Sequence, residues 1–361
     1  MRRFELMMWA ILVASICGLP AIAQETSRPQ VVNYIPPKII SPCGARAFGM
    51  NDLRQEREGW VNLRFTVKKD GTVVDPEVIS AFGGKNYGAA ALEWLANCKV
   101  EPAKQDGVAI DQVDFVRSFF FSIDDMEKGG SPRVRTQMRE FGELIDAKQF
   151  DAASAALDKA EKDCRTLYEI AHLMWSRAVL QARRGNHETA RLYLNQTGHL
   201  KTYMEPSDQS RLDRMKLRME MLSLHVVAAG LTADQIPDLG QREGDDELKE
   251  VLAKLKAASA EEPIWDVEGQ IPRDCPEYVC GRVPTWEYKP LHRTISLDGI
   301  AGNLSLVEIV CQSKKAKMEP KPNVTWTIPA SWQSCSIRVT GEPGARFTLV
   351  DEKAPSYTNP P

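Results

Sequence analysis

Along Trp60–Val67, apolar side chains occupy every second position, which is the period of a β-strand with one buried face. Asp70 and Gly71 follow, and this dipeptide between two apolar runs is a strong hairpin signal because glycine tolerates a positive φ. Val73–Ser80 is predicted to be the returning strand, and Pro76 within it indicates a sheet edge or a bulge. Residues 87–97 then carry apolar side chains at helical spacing. The pattern predicts strand, turn, strand and helix, in that order.

A helical pattern replaces the alternation over residues 133–258, where apolar residues recur at spacings of three and four. Within this region the segment Lys148–Ala153 recurs as Gly185–Ala190, about 37 residues later. The interval is similar to that of tetratricopeptide repeats, which are pairs of helices that stack on one another. We therefore expect a repeat-like helical region at 133–258. The alternative is a plain helical bundle that joins two β-rich domains.

Short strand-like runs separated by turn residues fill residues 263–353 and predict a small antiparallel sandwich or barrel. Lys314–Lys317 is expected to be the solvated tip of a hairpin. Trp326 and Trp332 are expected to pack in the core of this domain, and the alternative is a carbohydrate-binding patch. The strand-like runs are Arg293–Leu297, Leu304–Cys311, Val324–Ile328, Ser336–Val339 and Arg346–Val350.

Residues 1–23 have the layout of a secretory signal peptide. Arg2 and Arg3 precede a short apolar stretch, and Ala21-Ile22-Ala23 provides a small-residue cleavage site. The alternative is an uncleaved anchor in the inner membrane, but a spanning helix needs about 20 apolar residues and this stretch is shorter. Residues 24–42 contain several prolines and are expected to form an extended arm. The expected location is therefore the periplasm.

Several short motifs follow one another at fixed spacing in the first third of the chain. They are Gly59-Trp60-Val61, Phe65-Thr66-Val67, Asp70-Gly71-Thr72-Val73, Val78-Ile79-Ser80, Ala89–Leu92, Pro102-Ala103 and Asp106-Gly107. In this order they closely resemble the C-terminal domain of the TonB family. The resemblance covers roughly residues 36–123, about a quarter of the chain, and we expect the domain itself at 43–123.

The resemblance implies protein docking. TonB family members take up a short extended peptide of an outer-membrane receptor as an added strand at the edge of their sheet. The matching last strand in this chain is Val113–Ser122. The alternative for its phenylalanines, three of which share one face, is that they are simply core aromatics. The candidate partner-binding residues are Val113, Phe115, Arg117, Phe119 and Phe121.

The cysteines are expected to form disulfides, since export places them in an oxidising compartment. The chain has eight, and Cys17 would leave with the signal peptide. Exported proteins with a TonB-like domain often carry cysteines at the positions of Cys43 and Cys98, so the resemblance implies this pair. Cys164 is left over from any pairing and is expected to be a buried thiol in a helix.

The other four cysteines lie in the last third of the chain. Cys311 and Cys335 occupy neighbouring strand-like runs and form the next expected pair. Cys275 and Cys280 flank four residues, which is consistent with a small stapled loop. Six cysteines allow many pairings, so the sequence leaves the connectivity open.

The charge and the absence of known motifs argue against several classes of function. The formal net charge is −3, and basic residues are mixed with acidic ones, so neither nucleic acid nor an anionic membrane surface is an expected partner. The five histidines are scattered, and Cys275 and Cys280 have the wrong spacing for a zinc knuckle. The chain has no nucleophile signature, phosphate loop or dinucleotide fingerprint. We expect no enzyme activity, no metal and no cofactor.

The sequence thus predicts an α+β multidomain protein: a small TonB-like α/β module, a repeat-like helical middle and a disulfide-stapled antiparallel β domain at 263–353. The predicted function is that of an exported docking adaptor, with a link to outer-membrane transport. One alternative is a membrane-anchored, energy-transducing transport component, and membrane contact is expected only if residues 1–23 are retained. The other is an envelope enzyme or glycan-binding protein that acts through the C-terminal β domain.

Overall fold

The computed structural model describes residues 33–40, 43, 57–84, 86–123, 129–273 and 275–353. The predicted signal peptide, residues 1–23, lies outside the described residues, as do residues 24–32 and 41–42 of the predicted arm. The described residues form a mixed α+β structure with several small antiparallel sheets and a helical middle. The predicted α+β multidomain class is therefore confirmed.

The first group of elements, here called the N-terminal module, is built mainly of strands. It contains β1 (Tyr34–Ile35), β2 (Lys38–Ile40), β3 (Gly59–Val67), β4 (Val73–Phe82), α1 (Tyr87–Ala96), β5 (Lys99–Glu101), β6 (Ala103–Gln105), β7 (Val108–Ile110) and β8 (Gln112–Phe121). The main sheet is antiparallel with strand order β4-β3-β8. Two smaller sheets pair β2 with β5 and place β6 between β1 and β7. The Asp-Gly signal marks the β3–β4 hairpin, where Gly71 has a φ of +87°.

The central strand β3 is buried on both faces over its first half, whereas the sequence predicted only one buried face. Its regularly spaced aliphatic residues pack on α1 through Leu95 and on β8 through Phe119. On the opposite face, Trp60 is fully buried against the helices that follow. Asn62 is also buried there, and its amide donates hydrogen bonds to Ser80 and Gln196, each at 2.9 Å. A polar residue can occupy this second face because its hydrogen bonds are satisfied.

The helical region follows the N-terminal module. It contains α2 (Pro132–Asp146), α3 (Phe150–Asp163), α4 (Leu167–Arg183), α5 (His187–His199), a 3-10 turn (Lys201–Tyr203), α6 (Pro206–Leu222), α7 (Val226–Asp234) and α8 (Asp245–Glu261). Successive helices pack in pairs, α2 with α3, α4 with α5 and α6 with α7. A capping box begins α4, because Thr166 accepts from the amide of Glu169 while the Glu169 carboxylate accepts from the amide of Thr166.

The second helix of each pair begins with the same turn. Two residues before each of these helices, the backbone has a positive φ. The residues concerned are Lys148 before α3, Gly185 before α5 and Leu224 before α7. A buried alanine lies at the same place in the helix that follows, as Ala153, Ala190 and Ala229. The sequence indicated the first two turns but missed the third, Leu224–Ala229, because leucine and valine there give no turn signal. The region is thus built of three similar helix pairs at intervals of about 37–39 residues.

The C-terminal β domain is formed by two four-stranded antiparallel sheets. It contains β9 (Ile264–Gln270), α9 (Glu277–Cys280), β10 (Thr285–Tyr288), β11 (Thr294–Ala301), β12 (Leu304–Val310), β13 (Lys315–Met318), β14 (Thr325–Thr327), β15 (Ser336–Gly341) and β16 (Arg346–Glu352). The strand orders are β10-β15-β12-β13 and β14-β11-β16-β9. Residues of both sheets share one core, including Trp286, Ile337 and Phe347. Trp326 and Trp332 are partly buried against this core.

The sequence missed three strands of this domain, β9, β10 and β13. Lys314–Lys317 was expected to be a solvated hairpin tip, but Lys315–Met318 is the edge strand β13, paired with β12. Lysine is common on edge strands because its charge discourages further pairing, so the charge run concealed a strand. The ammonium group of Lys315 also forms ion pairs, which are described below.

Three disulfides join the described cysteines in the pairs that the sequence favoured. Cys43 is bonded to Cys98, Cys275 to Cys280, and Cys311 to Cys335. Cys164 is a free thiol at the C-terminal end of α3, and it is buried. Burial raises its pKa, with nearby carboxylates such as Glu169 adding to the effect, so the thiol stays protonated and unreactive.

An aromatic cluster joins the N-terminal module to α9 of the C-terminal β domain, beside the helical region. The rings of Trp60 and Phe82 stack with centroids 5.2 Å apart, and Tyr278 from α9 meets both edge-on. Beside this cluster, the buried carboxylate of Glu58 accepts from the amides of Ile123 and Leu167 at 2.7 and 2.8 Å. Trp60 also belongs to the same buried core as residues of α2 to α6, so the N-terminal module and the helical region share one apolar core.

Candidate docking edge

The candidate docking strand β8 lies at an edge of the main sheet. It pairs with β3 along one side, from the Gly59–Phe121 pair to the Val67–Gln112 pair. Within the described part of the chain, no strand pairs with its other side. The backbone groups along that outer side are the ones that an added strand would use.

Three of the five candidate residues face the core of the N-terminal module. Phe121 stacks on Tyr87 with centroids 4.1 Å apart, and Phe119 meets Trp94 edge-on at 5.0 Å. Phe115 is partly buried and meets Phe65 edge-on. These phenylalanines hold β8 against β3 and α1. Their role in the structure is that of core aromatics.

The middle of β8 faces solvent. The side chain of Arg117, another candidate residue, is exposed, and so is Val116, at 36% of its full surface. The hydroxyl of Ser118 next to them donates to the side-chain amide oxygen of Asn62 at 2.6 Å, which ties this stretch to β3. Towards the end of the strand, Phe120 packs against Tyr203 of the helical region. The exposed stretch is therefore short, and the residues that follow it are held by the contacts of Ser118 with Asn62 and of Phe120 with Tyr203.

The beginning of β8 is not free. The backbone amide of Val113, the remaining candidate residue, donates to the carbonyl oxygen of Gln312 at 3.1 Å. Gln312 follows strand β12 of the C-terminal β domain. A hydrogen bond donor on the outer side of β8 is thus already used within the chain.

Asp114 adds two ion pairs to the same contact. Its carboxylate lies 3.0 Å from the ammonium of Lys315 and 2.5 Å from the guanidinium of Arg338. The side chains of Asp114 and Arg338 are only 12% and 11% exposed. We refer to Asp114, Lys315 and Arg338 as the charge clamp. It connects β8 to strands β13 and β15 of the C-terminal β domain.

The clamp governs the protonation of Asp114. Burial alone would raise the pKa of its carboxyl, but the hydrogen bond from Lys315 and the charge of Arg338 outweigh burial and lower it. Burial lowers the pKa of Arg338 in turn, and the neighbouring Glu287 and Asp114 carboxylates raise it beyond its ordinary value. Both groups are therefore ionised at neutral pH.

The backbone at Asp114 explains why this residue reaches the C-terminal β domain. Its φ is +50°, and the register between β3 and β8 shifts at this point. A bulge of this kind changes the direction in which a side chain points. Aspartate can occupy such a position because it tolerates a positive φ better than most residues. The bulge breaks the alternation of β8 and turns Asp114 towards Lys315 and Arg338.

Sequence analysis missed the charge clamp and Val116. The partners of Asp114 lie 201 and 224 residues further along the chain, and no local pattern relates such positions. The bulge was also hidden, because the sequence around Asp114 reads as an uninterrupted strand. The one local signal for Val116 was its place in the predicted last strand, next to the candidate residue Arg117.

Comparison with known families identifies the module that carries this edge. Residues 47–122 match the sequence model for the Gram-negative bacterial TonB protein C-terminal domain. The match covers about a fifth of the chain. It indicates a TonB-like module, and proteins of that family belong to the cell envelope and bind protein partners such as outer-membrane receptors. No curated protein and no solved structure gives a significant match to the chain.

The opposite edge of the main sheet, on β4, is flanked by α9. Gly281, just after α9, comes so close to β4 that a β-carbon there would lie 3.3 Å from the carbonyl oxygen of Ile79. A groove of about 660 Å³ remains between β4, α1 and α9, with Val78, Leu92 and Tyr278 among its lining residues. Both edges of the main sheet are thus partly flanked by the rest of the chain, β4 by α9 and the start of β8 by Gln312.

Within the described residues, no group of three histidine, cysteine, aspartate or glutamate side chains could hold a metal ion. No helix in the same residues is long and apolar enough to cross a membrane.

Proposed function

We propose that this chain is an exported protein of the cell envelope that docks a protein partner by strand addition to the outer side of β8. The observation that carries the proposal is the solvent-facing stretch of β8 around Val116 and Arg117, in a module that matches the TonB C-terminal family. An extended partner segment along this edge would gain backbone hydrogen bonds, and nearby side chains would select its sequence.

The candidate residues then take different roles. We propose that Arg117, together with Val116, contacts the partner, because these side chains face solvent beside the outer edge. Phe115, Phe119 and Phe121 act indirectly, since they fix the strand that the partner must match. A guanidinium at this position favours an acidic or polar side chain in the partner segment.

The partner that best fits this mode is a short extended segment of an outer-membrane receptor, which links the chain to transport across the envelope. The module is at 43–123 in our proposal, and the helical region at 133–258 and the β domain at 263–353 would carry the docked partner to other envelope components. A rigid adaptor is supported by the shared aromatic core of Trp60, Phe82 and Tyr278.

Photo-crosslinking in native cells tests the docking mode. A photoreactive amino acid replaces Val116 in one variant and Val108 in the other. Both are exposed valines of the same module, at 36% and 67%, but Val108 lies on β7, in a different sheet from β8. We expect adducts with one predominant envelope protein from position 116 and several-fold fewer from position 108. Mass spectrometry should place the crosslink in an extended segment of the partner.

Equal adduct yields from positions 116 and 108 would contradict docking at β8. Folding is checked in both variants by thermal unfolding, so a misfolded variant is not mistaken for one that fails to bind.

Intact mass with membrane fractionation tests export. We expect a species that starts at Gln24, is released without detergent, and is lighter by two hydrogens for each disulfide. A membrane-bound species that retains residues 1–23 would contradict export as a cleaved protein and favour the anchored transport component.

A further inference from the structure

The C-terminal β domain lies against part of the edge that the partner is proposed to use. Gln312 accepts a hydrogen bond from the Val113 amide, as a strand added to β8 would do. The acceptor is held in place, because Gln312 follows Cys311 of the Cys311–Cys335 disulfide and its own amide donates to Gln333 at 2.9 Å. The chain thus supplies a fixed substitute for one position of an added strand.

The charge clamp is built so that it can open. Lys315 also lies 2.9 Å from Glu308, and Arg338 lies 3.8 Å from Glu287, both within the C-terminal β domain. When the contact with Asp114 opens, each basic group keeps an acidic neighbour within its own domain. Asp114 would become an ordinary solvated carboxylate, which needs no partner.

The clamp borders a solvent-open pocket. This pocket of about 190 Å³ lies between the start of β8 and the ends of β12 and β15, and polar side chains such as Gln112 and Ser336 line much of it. Water therefore reaches this seam, whereas the aromatic core on the other side of the sheet is buried.

We infer that the C-terminal β domain is a built-in competitor for the docking edge and closes the first half of β8 through Gln312 and the charge clamp. This inference rests on the proposed docking at β8. In the closed form a partner reaches only the stretch from Val116 onwards. Release of the clamp lengthens the available edge to Gln112 and strengthens partner binding.

Hydrogen exchange of the Val113 amide in the purified full chain tests the closed form. Asp114→Asn removes the charge and retains a residue that tolerates the positive φ. We expect at least a tenfold loss of protection at Val113. The matched control is Asp111→Asn, because Asp111 pairs with Lys68 inside the TonB-like module and does not belong to the clamp. Lys315→Gln opens the clamp from the other side and should change protection in the same direction.

The same variants are then crosslinked in cells from position 116. We expect Asp114→Asn and Lys315→Gln to raise the adduct yield several-fold and Asp111→Asn to leave it unchanged. Unaltered protection at Val113 in both clamp variants, or an adduct yield equal to that of the wild type, would overturn the inference alone. No adduct from position 116 in any of the proteins would overturn the proposed docking itself.

Discussion

The N-terminal module meets the rest of the chain in two ways that differ in chemistry. On one face of its sheet it buries aromatic rings, because Trp60 is fully buried among the helices and packs on Phe82 and on Tyr278 of α9. At the outer side of β8 it offers one backbone hydrogen bond and the carboxylate of Asp114 to the β-sheets of the C-terminal domain. Apolar side chains do not titrate, whereas an ionic contact can be released by protonation or by a competing partner. The first contact is suited to permanent attachment and the second to regulation.

The largest expected effect comes from breaking the aromatic contact. Trp60→Ala removes a fully buried side chain and should lower the free energy of unfolding by about 3–5 kcal/mol. Denaturant unfolding followed by circular dichroism measures the change. Trp60→Phe keeps a ring against Phe82 and should cost clearly less. Equal stability of wild type and Trp60→Ala would show that the module is not held to the helical region by this core.

The charge clamp should give a smaller and more local effect. A double-mutant cycle of Asp114→Asn and Arg338→Gln should yield a coupling free energy of about 1–3 kcal/mol, because both side chains are largely buried. The matched cycle uses Arg64→Gln and Glu77→Gln, a pair within the same sheet whose side chains are 26% and 59% exposed. It should give less than about 1 kcal/mol. Similar values for the two cycles would mean that the clamp is an ordinary surface ion pair.

Acid should also open the clamp. The folded-state pKa of Asp114 lies below its ordinary value of 3.8, so the folded chain binds this proton less readily than the unfolded chain. The contribution of the clamp is therefore complete above that value and is lost as the pH falls through the folded-state pKa. The coupling free energy measured by the Asp114–Arg338 cycle should shrink over the same range.

A third contact, between the helical region and the C-terminal β domain, combines both chemistries around His225. The ring of His225 is 1% exposed, lies beside Trp286 and Tyr288, and is 3.0 Å from the Glu188 carboxylate. Burial and the charge of Arg191 lower its pKa, while Glu188 and Glu287 act in the opposite direction without reversing the shift. The unfolded chain therefore binds a proton that the folded chain excludes.

Stability should consequently fall as the pH drops below the ordinary histidine value of 6.5, with a slope of up to about 1.4 kcal/mol per pH unit for one proton. His225→Gln should flatten this slope in denaturant unfolding between pH 7.5 and about 5.5. An unchanged slope in His225→Gln would show that His225 is not the group that titrates.

Local patterns were sufficient for much of the fold. The alternation in Trp60–Val67, the Asp70-Gly71 turn and the helical spacing after Tyr87 correctly predicted β3, the hairpin and α1. The predicted disulfides were found as well. These features depend on residues close in sequence or on the order of motifs that a family shares. They could therefore be predicted from the sequence alone.

Contacts between distant parts of the chain could not be predicted in the same way. The second buried face of β3 depends on helices more than 100 residues away, as in the Asn62–Gln196 hydrogen bond. The positive φ of Asp114 depends on a bulge that no turn residue marks. Lys315 was expected in a solvated tip, because a short lysine-rich run looks the same whether it is solvated or faces a carboxylate across an interface. The candidate edge was therefore predicted, but its covered half was not.

The most direct test of docking compares the two halves of β8 within one experiment. Photoreactive residues at positions 113 and 116 sample the covered and the open half of the same strand in native cells, with position 108 as the reference. We expect partner adducts from position 116, few from 113, and a rise at 113 when Asp114→Asn is added. Adducts that are equally rare at 113, 116 and 108 would contradict docking at β8.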